Sequence, residues 1–200
     1  MTKHRSFVGF SFLKKILSQI PGAIRQHSKE PKSVLIKIRG VLNMQSRMDS
    51  PAMIVPDATQ ALQALGKALF TSAEKTGIPS RTLFLAYLRA SQINGDSVCV
   101  ELHSRNALAA GESTERLLAV SAWRETQYFN DTERAALALS EAVTRLNDRV
   151  DPVPDEIFNE AARHFDVLAL ATLIAGIAMA NFWNRLNVST RQIVTVSASK

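Results

Sequence analysis

The sequence predicts an all-α protein, and three observations support that prediction. Aromatic residues make up only 6% of the 200 residues and glycine occurs eight times, in a chain rich in alanine and leucine; this mixture favours helices over sheets. From Pro56 onward, apolar residues recur at three- and four-residue spacing. No segment combines sustained two-residue alternation with enrichment in β-branched residues, so we expect no sheet.

Seven helices are predicted in order. Asp57 is expected to cap the first, in which Leu62, Leu65 and Leu69 form the apolar side and which ends at Gly77. The starts of the other six are marked by residues that commonly cap or open helices. These are Ser80, Asp96 or Ser97, Ser113, Asp131, Pro154 with Asp155, and Asp166.

Glycines and apolar content set the remaining boundaries. Gly95 is expected to end the second helix, in which Tyr87 is assigned to the core, and Gly111 the third. The last helix is the most apolar and is expected to run to about Arg185. The fold class is therefore an all-α bundle of six to seven helices.

Charge divides the chain into two predicted parts. Residues 1–48 contain ten Lys and Arg against the single acid Glu30, which leaves 14 basic and 17 acidic residues in the remainder. Residues 1–43 are interpreted as a basic extension: a membrane-surface or targeting helix, a disordered arm, or a product of a mis-called start ahead of Met44. Residues 44–200 are predicted to form the folded domain. Because the basic excess is confined to the extension, we expect no nucleic-acid partner.

The single cysteine and the lengths of the apolar runs bear on the compartment of the protein, on metal and cofactor sites, and on membrane-spanning segments. Cys99 is the only cysteine, so an internal disulfide is impossible and a reducing, cytoplasmic compartment is expected. No metal site and no cofactor are predicted, because neither zinc-ligand spacing nor a Gly-rich phosphate loop occurs. The longest apolar run, Val167 to Ala180, falls short of the roughly 18 residues of a spanning segment, so no transmembrane segment is expected.

The candidate chemistry lies at the start of the third predicted helix. Cys99 falls in its first turn, where the helix dipole favours a thiolate, and His103 follows one turn later on the same face. A histidine at this spacing can accept the thiol proton. A buried structural cysteine with a surface histidine explains the same spacing.

This stretch resembles the signature segment of the AhpD-like alkylhydroperoxidases of the carboxymuconolactone decarboxylase family. The resemblance covers about Met44 to Arg191. It rests on several segments in matching order: Ala90-Ser-Gln-Ile-Asn-Gly95, Cys99 with His103, Gly111-Glu112-Ser113, Ala122-Trp-Arg-Glu125, Asp131-Thr-Glu-Arg-Ala-Ala-Leu-Ala138 and Asn181-Phe-Trp-Asn-Arg-Leu186. It implies an AhpD-like helical bundle that assembles as a homo-oligomer, as a dimer, trimer or hexamer.

The sequence departs from the family's redox pattern at two positions. The resemblance implies that Cys99 matches the peroxide-reacting cysteine and His103 the relay histidine, whereas Asp96 replaces the resolving cysteine and Phe84 the relay glutamate. Asp96 has two interpretations: it caps the helix, or it forms an acid/base pair with His103 two turns away.

Three hypotheses for function follow from the site residues Cys99, His103 and Asp96. The first is a thiol-dependent peroxidase of peroxiredoxin type, with antioxidant activity and a one-cysteine mechanism that requires an external thiol reductant. The second is a non-redox enzyme resembling the lactone decarboxylases, which uses His103 and Asp96. The third is a catalytically silent family member, so the sequence leaves open whether the chain is an enzyme.

Overall fold

The computed structural model describes residues 45–147 and 150–194. The basic extension predicted for residues 1–43 lies outside these ranges. Within them the chain forms eight α-helices and no strand. They are α1 (Pro51–Ile54), α2 (Pro56–Thr76), α3 (Ser80–Asn94), α4 (Ser97–Ala109), α5 (Thr114–Ala119), α6 (Asp131–Thr144), α7 (Asp155–His164) and α8 (Val167–Thr190), with a 3₁₀ helix at Val120–Glu125 after α5.

Helix α3 is the centre of the bundle, because it packs extensively against α4, α6 and α8. Tyr87, Leu83 and Ile177 belong to a core cluster between α2, α3, α6, α7 and α8. Leu85, Leu88 and other residues of the opposite side of α3 pack with the 3₁₀ helix and α6 in a second cluster. A helix buried on two sides needs apolar residues around most of its circumference, and α3 has them.

The predicted all-α fold and the seven predicted helices are confirmed, with differences at the boundaries. Asp57 lies inside the first turn of α2 and its N-cap is Val55, because Pro56 occupies the first helical position. Asn130 caps α6, where it forms a reciprocal capping box with Glu133. The short α1 was not predicted, and α8 continues past Arg185 to Thr190.

Helix α8 is long and apolar enough, by length and composition, to cross a membrane, with a mean hydropathy of 1.6 over its most apolar window. The prediction from uninterrupted apolar runs missed this, because the asparagines of its second half interrupt the run. Half of that window is buried inside the domain. Its buried face includes Leu173, Ile177 and Asn184, which is the pattern of a central bundle helix.

Candidate functional site

The junction between α3 and α4 places the candidate residues. Gly95 ends α3 with φ of 69°, a left-handed conformation that glycine adopts without strain. Asp96 follows as the N-cap of α4, and its Oδ1 accepts the backbone N–H groups of Val98 at 3.0 Å and Cys99 at 3.2 Å. The capping interpretation of Asp96 therefore describes its position in the fold.

The second carboxylate oxygen of Asp96 is also occupied. Its Oδ2 accepts the side-chain amides of Asn184 and Asn187 of α8, both at 3.0 Å. Asp96 is only 2% exposed, and four donors surround its carboxylate. A buried carboxylate with this many hydrogen bonds is well satisfied, which makes it a structural anchor between α4 and α8.

The donors belong to a row of buried asparagines on α8. Asn181, Asn184 and Asn187 are spaced three residues apart and share one face. Asn94 at the end of α3 donates to Asn181 and Asn184, both at 2.9 Å, and Asn184 also donates to Ser91 at 3.0 Å. The row thus binds the C-terminal end of α3 and the N-terminal end of α4 to α8 through hydrogen bonds rather than through apolar packing.

Cys99 is buried beside this row. Its Sγ accepts the side-chain amide of Asn187 at 3.4 Å. The pKa of the Cys99 thiol is raised to about 12, mainly by burial and secondarily by the hydrogen bond and negative charge of Asp96. The amides of Asn184 and Asn187 lower it by less. The thiol is therefore protonated at neutral pH, despite its place in the first turn of a helix.

His103 is partly exposed as a residue, yet both of its ring nitrogens are buried and have no hydrogen-bond partner among the described residues. Burial lowers the pKa of His103 to about 4, and the charge of Asp96 opposes that shift. The imidazole is therefore neutral at pH 7. His103 and Asp96 share no hydrogen bond within the described part of the chain, so the structure does not bring them together as a bonded acid/base pair.

Two aromatic residues of α3 border the site. Phe84 is partly buried and packs on Phe70 with ring centroids 5.2 Å apart. Tyr87 contacts the His103 ring edge-to-face at 5.5 Å. The environment of His103 is thus apolar, which accounts for the direction of its pKa shift.

Sequence reasoning missed two contributors to the site. It assigned Tyr87 to the core, which is where Tyr87 lies, but periodicity carries no information on whether a hydroxyl has a partner. The asparagine row was also missed, although three asparagines at three-residue spacing in an otherwise apolar helix are a visible signal. Across residues 45–147 and 150–194, no three His, Cys, Asp or Glu side chains converge as a metal site requires.

A separate buried charge cluster lies on the other side of α3. Glu141 accepts hydrogen bonds from Arg89 at 2.7 Å, Trp123 at 3.0 Å and Arg124 at 2.7 Å. Burial opposes ionisation of Glu141, but these three donors dominate and lower its pKa to about 2. This cluster joins α3, the 3₁₀ helix and α6, and its groups are all paired, as expected of a structural network.

Comparison with known proteins agrees with this architecture. The family model described as the carboxymuconolactone decarboxylase family matches residues 56–142. The uncharacterized protein YdfG of Bacillus subtilis is 32% identical over 116 residues, which are 58% of this chain and 78% of YdfG. The chain belongs to the carboxymuconolactone decarboxylase family. Another family relative, the uncharacterized protein YnjA of Escherichia coli, is 35% identical over 52% of this chain and 55% of its own length.

Solved structures place this family member in the AhpD-like fold. ATU0492 of Agrobacterium tumefaciens, described as a protein of unknown function and a candidate antioxidant defence protein AhpD, superposes with a TM-score of 0.68 and 30% identity. The match covers 76% of this chain and all of that one. A variant of the debrominase Bmp8 in complex with 2,3,4-tribromopyrrole matches with a TM-score of 0.56 and 25% identity, over 68% of this chain and 69% of Bmp8.

Proposed function

We propose that this protein catalyses a non-redox proton transfer, with the neutral imidazole of His103 as general base. The observation that carries the proposal is the state of His103: both ring nitrogens are buried, and neither has a partner in the described part of the chain. With a pKa of about 4, the ring is unprotonated at pH 7 and can accept a proton. A weak base in an apolar site is effective when the anion formed on the substrate is stabilised there too.

The state of Cys99 supports this assignment over thiolate chemistry. A thiol with a pKa of about 12 holds only a minute thiolate fraction at neutral pH, and the thiolate is the nucleophile that reacts with peroxides. The absence of a second cysteine from the sequence also excludes an internal resolving disulfide.

Asp96 serves this proposal as a positioning residue. Its two oxygens accept four N–H groups, so neither is free to take a proton from a substrate without losing a hydrogen bond. The carboxylate instead fixes the first turn of α4, which sets where His103 lies one turn later. The non-redox hypothesis therefore retains His103 as the base and removes Asp96 from the proton-transfer step.

Solvent deuterium exchange tests the proposal. The protein is incubated in D₂O with a panel of small lactones and ketones, and incorporation at the carbon next to the carbonyl is followed by NMR. Exchange above the buffer rate is expected for the unmodified protein and for Cys99→Ser, whereas His103→Gln should lose it. His164→Gln is the matched control, because His164 is bonded to Glu160 and Thr132. Loss of exchange in Cys99→Ser, with retention in His103→Gln, would contradict the proposal.

A one-cysteine, thiol-dependent peroxidase is the second candidate, and one contact favours it. The amide of Asn187 donates to Cys99 Sγ, which is the kind of interaction that stabilises a thiolate. The similarity to ATU0492 points in the same direction. In this mechanism Cys99 is oxidised by a hydroperoxide to a sulfenic acid, and two equivalents of an external thiol return it to the thiol and release water. Peroxide consumption with dithiothreitol that is lost in Cys99→Ser would support this candidate.

We also propose that the protein is a cytoplasmic homo-oligomer that associates through α8. Val167, Leu168, Phe182 and Val188 of this helix are exposed apolar residues in the single chain, and a second copy would cover them. Light scattering should give a mass above that of the 22.0 kDa chain. Phe182→Glu is expected to shift the mass toward the monomer, whereas Arg105→Glu, a change on the exposed side of α4, should not.

A further inference from the structure

The hydroxyl group of Tyr87 is an unexplained polar group in the core. Tyr87 is 1% exposed, and its Oη has no hydrogen-bond partner among the described residues. Buried tyrosine hydroxyls normally have a partner, because leaving one unsatisfied costs free energy that phenylalanine would not. The packing of α3 alone therefore does not explain why this buried position has a hydroxyl group.

The unsatisfied groups of the molecule lie together. We call Tyr87 Oη and the two ring nitrogens of His103 the orphan atoms, since all three are buried side-chain atoms without a partner in residues 45–147 and 150–194. The two rings are in edge-to-face contact with centroids 5.5 Å apart. Two contacting side chains, one from α3 and one from α4, thus carry this unused hydrogen-bonding capacity.

The surroundings of the orphan atoms favour an apolar, compact ligand. Phe70 contacts the Tyr87 ring edge-to-face at 6.4 Å. On α8, a methyl group at Gly176 would overlap the Tyr87 hydroxyl, so glycine provides the space that the hydroxyl occupies. His103 is the partly exposed member of the pair. A molecule that fits has a small apolar body and one oxygen able to accept a hydrogen bond.

We propose that the orphan atoms bind a small neutral carbonyl compound, with Tyr87 donating a hydrogen bond to the carbonyl oxygen and His103 facing a hydrogen on the adjacent carbon. This inference rests on the proposed function of His103 and adds a catalytic residue and a substrate class to it. Tyr87 can donate throughout the physiological range, because a phenol is protonated there. It thereby supplies the electrostatic stabilisation that a weak base requires.

The chemical step balances without an oxidant or a metal. A ring nitrogen of His103 removes the proton from the carbon next to the carbonyl, and the electron pair of that C–H bond forms a carbon–carbon double bond. The carbonyl π pair moves onto the oxygen, which accepts the hydrogen bond of Tyr87 as an enolate. The imidazolium exchanges its N–H with solvent and then delivers a proton to the same carbon, which gives deuterium exchange in D₂O, or to a conjugated carbon, which gives an isomer.

Binding of para-nitrophenolate, an anion that mimics the enolate oxygen, tests the inference through its absorbance shift. Tyr87→Phe keeps the ring and removes only the hydroxyl, so binding should weaken by about tenfold or more. Tyr128→Phe is the matched control, because Tyr128 is the other tyrosine of the chain and is exposed. Gly176→Ala is a second test, since the added methyl group displaces the hydroxyl, and weaker binding is expected there too.

The outcomes separate this inference from the proposed function. Weakened binding in Tyr87→Phe, together with slower deuterium exchange, supports both. Tyr87-dependent binding without any exchange in the unmodified protein supports the carbonyl site and overturns the proton-transfer function. Exchange that depends on His103 and is unchanged in Tyr87→Phe overturns the role of Tyr87 alone. Failure of the unmodified protein to bind the phenolate, with only an ordered water between the rings in a crystal structure, overturns the inference.

Discussion

The carboxylate of Asp96 accepts the backbone N–H of Cys99 at 3.2 Å, so a negative charge already occupies the helix end that would otherwise stabilise a Cys99 thiolate. The orphan N–H groups of a helix start are the feature that lowers a thiol pKa. Here Asp96 accepts two of them, and the amides of Asn184 and Asn187 donate to Asp96, while Asn187 also donates to the sulfur. Asp96 thus adds to the burial that keeps the Cys99 thiol protonated.

Asp96→Asn is expected to lower the thiol pKa of Cys99 by about one unit. The substitution removes the like charge but keeps a side chain that caps helices well. Burial remains, so the pKa should stay above that of a free thiol. The rate of alkylation as a function of pH measures the change. Asp166→Asn is the control, since Asp166 is also a capping aspartate, at the start of α8; an equal shift in both variants would contradict the account.

Asp96→Cys restores two cysteines with the spacing of the family's redox members. We expect this variant to form an internal disulfide under mild oxidation, because the new thiol lies in the same helix start as Cys99. The charge that opposed the Cys99 thiolate is removed at the same time. Mass spectrometry should show a loss of two hydrogens that dithiothreitol reverses. A variant that stays fully reduced under peroxide would show that Asp96 is not the feature that prevents thiol chemistry.

Stability should fall as the pH drops from about 6.5 to about 4, because of His103. Its pKa of about 4 in the folded protein lies below the ordinary value of 6.5, so the unfolded chain binds more protons in this window. This contribution of His103 to the free energy of unfolding is complete above about pH 6.5. It is lost progressively toward about pH 4, by about 3 kcal/mol at most. Urea denaturation at several pH values measures it. In His103→Gln this part of the loss should disappear, and an unchanged pH profile would contradict the buried, neutral state of the ring.

Glu141→Gln should destabilise the fold by about 3 kcal/mol, since it leaves the largely buried guanidinium of Arg89 without its carboxylate. Glu141 is the shared acceptor of Arg89, Trp123 and Arg124. Glu101→Gln is the matched control: its pair with Arg105 is exposed on both sides and should contribute under about 0.5 kcal/mol. Chemical denaturation of the two variants compares them directly, and similar losses would show that the Glu141 cluster is not a buried network.

The sequence carries most of the information on the helices, because helix starts depend on local chemistry. Ser113 and Asp166 each accept a backbone N–H in the first turn of the helix they were expected to cap. At Pro56 the local signal was ambiguous, since the proline at the first helical position displaced the cap from Asp57 to Val55. The sequence also did not predict that α8 ends at Thr190, because tertiary packing determines which face of that helix is buried.

The site was less predictable, since its properties depend on contacts across the fold. The spacing of Asp96, Cys99 and His103 along α4 follows from the sequence. The side-chain donors to Asp96 come from α8, about ninety residues later, and no local sequence pattern predicts that they reach its carboxylate. The same holds for Tyr87, whose assignment to the core is confirmed while its lack of a partner depends on what α4 and α8 place beside it.

The thiol pKa of Cys99 in the unmodified protein is the measurement that tests this account most directly. Cys99 is the only cysteine, so the rate of alkylation by iodoacetamide as a function of pH reports on this one group. The account predicts slow alkylation at neutral pH and a rate that is still rising above pH 10, in keeping with a pKa near 12. A pKa at or below the free-thiol value of about 8.5, with rapid oxidation by peroxide, would contradict it and favour a one-cysteine, thiol-dependent peroxidase.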